Sequence, residues 1–243
     1  MEHHINKLRD PHVSLFVKGA AVILLPAMLL LLSCSLANAG SVLNTLHNLS
    51  ISGPGQIKST TEKQVCIFCH TPHDAEPHTP LWNKKLNKGT NYNMYWSNSL
   101  ESLSPGGKPV TPDGASKLCL SCHDGTIAIG EVRSRRSPIP MQNNITTMPS
   151  TSRGYLGTNL SGSHPISFVV TQKMITQSYV TGSNLASMTE MKDDPDGVRL
   201  DSNNEVQCIS CHNPHQDDNF SASGVHFLRK SNITQVCIIC HKM

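Results

Sequence analysis

The chain has 243 residues, of which 5% are aromatic and 15% are charged, and its formal net charge is only +3. So small a charge excess gives no reason to expect nucleic acid or a strongly anionic surface as a partner. Large apolar side chains are scarce while small and polar residues are abundant, so burial of side chains alone cannot offset the entropy lost on folding. We therefore expect cross-links or an additional apolar group to hold the chain together.

The first 39 residues follow the order of a secretory signal peptide. Three basic residues precede an apolar run at 20–32, and the small residues of 37–39 come after it. A retained membrane helix is the alternative, but the run is shorter than the roughly 20 residues that cross a bilayer. The pattern predicts a removed signal peptide, 1–39, and a single exported domain, 40–243. Cys34 leaves open a lipoprotein cleavage, after which a lipid on Cys34 would tether the protein to a membrane.

The eight cysteines after the signal form four pairs with Cys-X-X-Cys spacing, and a histidine directly follows each pair. Two thiols at this spacing can add to the two vinyl groups on one side of a porphyrin, and the next imidazole then ligates its iron. Disulfides, zinc sites and redox dithiols are alternative uses of paired cysteines, but none of them requires these histidines. The sequence therefore predicts four covalently attached c-type haems. The attaching cysteines are Cys66, Cys69, Cys119, Cys122, Cys208, Cys211, Cys237 and Cys240, and the proximal iron ligands are His70, His123, His212 and His241.

Four haems in so short a chain would form most of its hydrophobic core. We expect a multihaem cytochrome c fold of mostly irregular coil, with short helices at the haem-binding segments and at most a short hairpin. The hairpin is predicted where 198–200 and 205–207 flank the turn-rich 201–204. Both tryptophans and two of the four tyrosines fall within 81–96, and this segment is predicted to pack against the porphyrins.

The second axial ligand of each iron decides between electron transfer and catalysis. An iron with two protein ligands passes electrons, whereas an open iron can bind a small molecule. His73 and His215 each follow a proximal histidine by three residues, and the intervening proline fixes the turn. Because neither can readily reach the far face of its own haem, we expect each to ligate a neighbouring haem. A surface histidine in a turn is the alternative at both positions.

Two further distal ligands are predicted in long stretches that carry no haem motif, at His47 and His164. His78 and His226 have no flanking pattern that restrains them and are weaker candidates. Methionine could ligate instead and would raise the reduction potential, but the surplus of histidine favours bis-histidine irons with low potentials.

The order of these motifs resembles a known family. A haem motif with a second histidine, 66–73, is followed by Pro-Leu-Trp-Asn at 80–83, a plain motif at 119–125, Ser-His-Pro-Ile at 163–166 and a second doubled motif at 208–215. This order resembles exported cytochromes of the doubled-CXXCH class. It is particularly similar to the tetrahaem outer-surface cytochromes of the outer-membrane cytochrome E type, which polymerise into extracellular filaments in metal-reducing bacteria.

The resemblance implies bis-histidine irons, a mostly irregular fold and a homopolymer in which one distal histidine crosses a subunit boundary. It points to His47 as that donor. We therefore expect an electron conduit rather than an enzyme, located outside the cell or on its outer surface. Upstream periplasmic or outer-membrane cytochromes and extracellular electron acceptors are its expected partners. A soluble periplasmic carrier, a subunit docked on a membrane complex and a multihaem oxyanion reductase with one open haem are the alternatives.

Overall fold

The computed structural model describes residues 41–242, apart from 77–79, 87, 88, 183, 193, 195 and 196. These residues belong to the second of two compact units, Gly40–Met243. The predicted signal peptide, Cys34 and His78 lie outside the described residues.

Short helices joined by irregular segments make up the fold, which confirms the predicted coil-rich architecture. No helix in the described part of the chain is long and apolar enough to cross a membrane. The α-helices described are α1 (Asn98–Leu103), α2 (Gly114–His123), α3 (Gln172–Thr181), α4 (Met188–Lys192), α5 (Cys208–Cys211), α6 (Phe220–Ser223) and α7 (Ile233–Cys240). Turns of 3₁₀ helix lie at Val42–Asn44, Cys66–Phe68 and Gln142–Asn144.

Strands contribute little to the described fold. Strand β1 (Asn93–Met94) pairs in parallel with β2 (Asn159–Leu160). Strand β3 (Phe168–Val169) pairs antiparallel with β4 (Glu205–Val206). Each sheet has two strands of two residues.

The predicted hairpin between 198–200 and 205–207 is wrong in its partner strand, because β4 pairs with β3. The predicted turn does form, since the N–H of Asp201 donates to the Glu205 carbonyl oxygen at 3.0 Å. Val198 and Leu200 are buried in two different hydrophobic clusters. Because Val198 and Leu200 pack into different clusters, their segment does not pair as a strand. Tertiary packing here outweighs the intrinsic strand preference of these residues.

The described core consists of four small hydrophobic clusters. Each cluster contains or contacts a residue of a different Cys-X-X-Cys-His motif. This division agrees with a composition too poor in large apolar residues to build one large core. The motif residues in these clusters include Cys69, Leu120, Cys211 and Cys240, and Ile239 of the fourth motif also packs against the cluster of Cys211.

The buried side chain of Gln207 joins the second and third motifs. Its Oε1 accepts from the N–H of Ser116 in α2 at 3.0 Å, and its Nε2 donates to Asp113 Oδ1 at 3.0 Å. The N–H of Cys208 in turn donates to Ser116 Oγ at 3.0 Å. Gly114 has a φ of +45°, and a Cβ there would lie 2.7 Å from Gln207 Nε2, so both the backbone and this contact require glycine.

Candidate functional site

Each motif lies in a short helical segment. The first lies in the 3₁₀ turn at Cys66–Phe68, the second ends α2, the third forms α5 and the fourth ends α7. One helical turn places residues three apart on the same side, so both sulfur atoms of a motif face one way. In three motifs the histidine N–H closes the turn onto the first cysteine carbonyl: His70 onto Cys66 at 2.8 Å, His212 onto Cys208 at 3.1 Å and His241 onto Cys237 at 2.8 Å.

None of the eight motif cysteines, all of which the structure describes, forms a disulfide, and side chains of different motifs lie close together. The side chains of Cys119 in the second motif and Cys208 in the third are close enough to interact, and Cys208 is also tied to α2 by its N–H bond to Ser116 Oγ at 3.0 Å. The interaction raises the pKa of Cys119 and lowers that of Cys208 to about 7. The cysteine side chains that would attach the second and third haems are therefore neighbours.

The remaining motifs adjoin in the same way. Burial raises the pKa of Cys69 to about 12, and the nearby sulfur of Cys122 adds to that rise. Burial likewise raises the pKa of Cys211 to about 11, with a contribution from Cys240. The first motif thus neighbours the second and the third neighbours the fourth. Together with the Cys119–Cys208 contact, the motifs form a continuous series in chain order.

Three pairs of histidine rings come together across long stretches of sequence. Each pair joins a proximal histidine of a motif to one of the predicted distal ligands. The ring centres of His47 and His123 are 6.0 Å apart, those of His70 and His215 are 6.0 Å apart, and those of His164 and His241 are 6.4 Å apart.

This spacing fits an iron held between two imidazoles. A metal–nitrogen bond is about 2 Å long and a ring centre lies about 1.2 Å from its nitrogen, so two rings on opposite faces of one iron have centres about 6.4 Å apart. The angles between the ring planes, 70°, 20° and 75°, vary from pair to pair. Such variation is compatible with axial ligation, because each ring can turn about its own metal–nitrogen bond.

Backbone carbonyl groups fix the protonation of five histidine rings, four from these pairs and that of His212. A carbonyl oxygen can only accept a hydrogen bond, so Nδ1 must carry the proton and Nε2 keeps the lone pair that binds a metal. A metal-ligating histidine usually donates such a hydrogen bond from the ring nitrogen that does not bind the metal. The pairs are His47 with Pro214 at 2.9 Å, His70 with Pro80 at 2.8 Å, His123 with Gly154 at 2.7 Å, His164 with Pro165 at 2.8 Å and His212 with His226 at 3.2 Å.

Burial also favours the neutral, metal-binding form of these rings. Desolvation lowers the pKa of His47 to about 4, and the neighbouring His123 contributes to the shift. Desolvation is also the first cause of the lowered pKa values of His212, His215 and His241. A neutral imidazole retains its free lone pair, so the environment prepares these rings for metal binding.

The structure does not bring His73 to a second imidazole. Its side chain is exposed, and its ring contacts no other ring among the described residues. His212 likewise faces no other histidine ring within the described ranges. His212 and His73 are therefore the proximal and the predicted distal ligand that face no other histidine ring among the described residues.

His226 has a different environment from the predicted ligands. Its Nδ1 donates to Asp217 Oδ2 at 2.5 Å, and its ring stacks on Phe220 with centres 3.8 Å apart. Its carbonyl oxygen, on the other hand, accepts the Nδ1–H bond of His212. His226 therefore supports a proximal histidine through its backbone. His78, the other weak candidate, lies outside the described residues.

Two aromatic side chains belong to the site. Trp82 lies edge-on to His70 with ring centres 6.1 Å apart, and its Nε1 donates to Ser121 Oγ at 3.2 Å, which joins the first motif to the second. Phe227 stacks on His47 with ring centres 4.1 Å apart. Trp82 falls in the aromatic segment that composition singles out, whereas no sequence motif marks Phe227.

The family model of the doubled CXXCH motif matches residues 202–243. This C-terminal segment is a doubled CXXCH motif. The match covers the third and fourth motifs, indicates covalently bound haem c and is consistent with a multihaem c-type cytochrome. The doubled CXXCH motif therefore supports haem-based electron transfer. No curated protein matches the chain.

Proposed function

We propose that this chain transfers electrons through four c-type haems, each attached by one motif and each closed by two histidines. The facing imidazole pairs carry the proposal, because their spacing of 6.0 to 6.4 Å fits an iron between the rings. A c-type haem supplies a one-electron Fe(III)/Fe(II) couple. An iron with histidine on both faces offers no position to a substrate, which favours a carrier over an enzyme.

The order of the motifs supports a continuous path. The second and third motifs meet at the Cys119 and Cys208 sulfur atoms, and the first and fourth adjoin them through Cys122 and Cys211. The protein thereby holds the attachment edges of successive groups next to each other. We infer stepwise transfer along the four motifs in chain order, in either direction.

For the remaining distal position we propose His73. His215 follows His212 by three residues and lies opposite His70, the proximal histidine of the first motif. His73 follows His70 by three residues in the same Cys-X-X-Cys-His-X-Pro-His pattern. The reciprocal arrangement therefore directs His73 to the haem of His212, so that the two doubled motifs exchange ligands.

The test is the haem content and spin state of the purified exported protein. Mass spectrometry should find four thioether-linked haems per chain, and absorption and electron paramagnetic resonance spectra should be those of low-spin iron. Fewer than four haems would contradict the count. A high-spin iron that binds carbon monoxide would point to a reductase with an open haem.

We further propose that copies of the chain polymerise outside the cell and carry respiratory electrons from periplasmic or outer-membrane cytochromes to extracellular acceptors. The signal sequence, the net charge of +3 and the resemblance to filament-forming cytochromes support this assembly. His47 packs against His123 and Phe227 of its own chain. Its position favours ligation within the chain, so in a filament the exposed His73 is the better donor, to the His212 haem of a second copy.

Dilution of the wild-type protein distinguishes whether His73 ligates an iron of its own chain or an iron of a second copy. Donation within the chain predicts low-spin iron at every concentration, and only the His73→Ala variant would then show a high-spin iron. Donation across a subunit boundary predicts a high-spin iron in dilute monomers that becomes low-spin in filaments. Cryo-electron microscopy of protein sheared from cells provides the parallel test, since discrete monomers alone would favour the periplasmic carrier.

A further inference from the structure

A fully buried lysine lies beside the first motif. Lys84 is 0% exposed, and its Nζ donates to the carbonyl oxygens of Ala128, Ile129 and Glu131 at 3.1, 2.7 and 3.1 Å. A neutral amine has only two N–H donors, whereas the ammonium form has three and no acceptor. Three carbonyl acceptors therefore require the ammonium form, so Lys84 is a buried positive charge.

Lys84 is fixed between the first two motifs. The neighbouring Asn83 donates its N–H to the Cys69 carbonyl at 2.9 Å and its side-chain amide to the Ile67 carbonyl at 2.5 Å. The carbonyls that hold Lys84 belong to the segment that directly follows the second motif. Trp82, two residues before Lys84, donates its Nε1–H to Ser121 Oγ of the second motif at 3.2 Å, so Lys84 lies beside both motifs.

The Lys84 charge has no directly bonded counter-charge among the described residues. The buried carboxylate of Asp124, next to His123, acts in the opposite direction at the second motif. Within the described ranges no carboxylate forms an ion pair with Lys84, and Glu131 pairs instead with the exposed Lys85 at 3.2 Å. All three N–H groups of Lys84 are bonded to carbonyls, so none is free for another anion. An isolated charge in a protein interior is costly, and three hydrogen bonds to uncharged carbonyls leave its field largely unscreened.

We propose that Lys84 raises the reduction potentials of the haems at the first and second motifs above those of the other two. The inference rests on the proposed attachment of haem at these motifs. Reduction adds one electron from the donor to the iron and lowers the positive charge of the site by one. A fixed positive charge nearby favours that reduced state. The two N-terminal haems thereby have higher reduction potentials than the two C-terminal haems.

The test compares Lys84→Met with the matched control Lys85→Met in the fully haem-loaded protein. Lys84→Met removes the buried charge and keeps an unbranched chain, whereas Lys85 has a side chain that is 70% exposed and screened by water. In spectroelectrochemical titrations, Lys84→Met should lower two of the four midpoint potentials and leave the other two in place. At a potential fixed near those two midpoints, their ratio of reduced to oxidised iron should fall on the order of tenfold.

Haem counting by mass spectrometry accompanies each titration. Wild-type protein without four low-spin haems would refute the proposed function itself, separately from the role of Lys84. If Lys84→Met attaches fewer haems, Lys84→Gln supplies a neutral residue that still donates to carbonyls. Four unchanged potentials, an equal shift of all four, or the same shift in Lys85→Met would overturn the inference. Haem loss in both Lys84 variants would assign the residue to the framework of the fold and would also overturn it.

Discussion

The phenyl ring of Phe227 lies nearly parallel to the imidazole of His47, with ring centres 4.1 Å apart and 14° between the planes. Phe227 adopts a φ of +61°, a conformation that bulky residues rarely occupy. Asp217 holds it there, because its Oδ1 accepts the N–H of Phe227 at 2.6 Å. A strained residue retained at this position indicates a role in orienting the ring of His47.

Replacing Phe227 with Ala should loosen His47 as a ligand. The ring is 8% exposed, and its loss should lower the free energy of unfolding by about 3 kcal/mol. We expect a fraction of high-spin iron in electron paramagnetic resonance spectra of the variant. Phe220→Ala is the control, because Phe220 stacks on His226, which is not one of the proposed ligands. Equal high-spin fractions in both variants would contradict a specific role for Phe227.

Removal of a distal histidine should change one haem only. His164→Ala deletes the ring that faces His241 at 6.4 Å, so one iron should become high-spin and bind carbon monoxide. His226→Ala should leave all irons low-spin, because the contact with His212 comes from the backbone carbonyl. Optical titration with carbon monoxide measures both variants. Low-spin iron throughout His164→Ala would remove His164 from the ligand set.

Gln207→Ala should weaken the contact between α2 and α5. The side chain is 1% exposed, and its loss leaves the N–H of Ser116 and the carboxylate of Asp113 without these partners. A buried polar group left unsatisfied costs about 1 to 3 kcal/mol. Denaturant unfolding should detect a loss of this size, whereas the exposed Gln64→Ala should change stability little. A neutral result for Gln207→Ala would mean that the motifs, not this hydrogen-bond network, hold the helices together.

The pKa of His47 predicts a specific acid response. Burial on folding lowers this pKa from 6.5 to about 4, and the proposed bond to iron would oppose protonation further, so the unfolded chain takes up the proton first as pH falls. The contribution of His47 to stability is therefore complete above pH 6.5 and is lost as pH falls from 6.5 to about 4. Unfolding measured across this range should show a shallower pH dependence in His47→Gln than in wild type. Identical slopes in the two proteins would contradict burial of a neutral ring.

Local patterns in the sequence carry the attachment chemistry but not its spatial arrangement. The motif at 66–70 forms one helical turn from local bonds, because the N–H groups of Cys69 and His70 both donate to the Cys66 carbonyl oxygen. The approach of His47 to His123 and the bond from His123 to the carbonyl of Gly154 depend on the path of the whole chain. No periodicity encodes such contacts, and the same limit explains the wrong partner assigned to β4.

The donor position of His73 shows the same limit from the other side. Its repeat with His215 is visible in the sequence, yet only His215 lies opposite a proximal ring in the described structure. A repeat predicts equivalent local geometry but not equivalent neighbours. The proposed ligation by His73 needs an iron whose position depends on residues far along the chain or in another copy.

The four separate hydrophobic clusters have a consequence for biogenesis. Since every motif contacts a small cluster, each haem attached would enlarge a local cluster and not one large interior, with the third and fourth motifs sharing one cluster. Haem attachment to the new polypeptide should then proceed in local steps, each completed by its own thioether bonds. Such a chain can acquire its cofactors one at a time without having to reopen a finished globule.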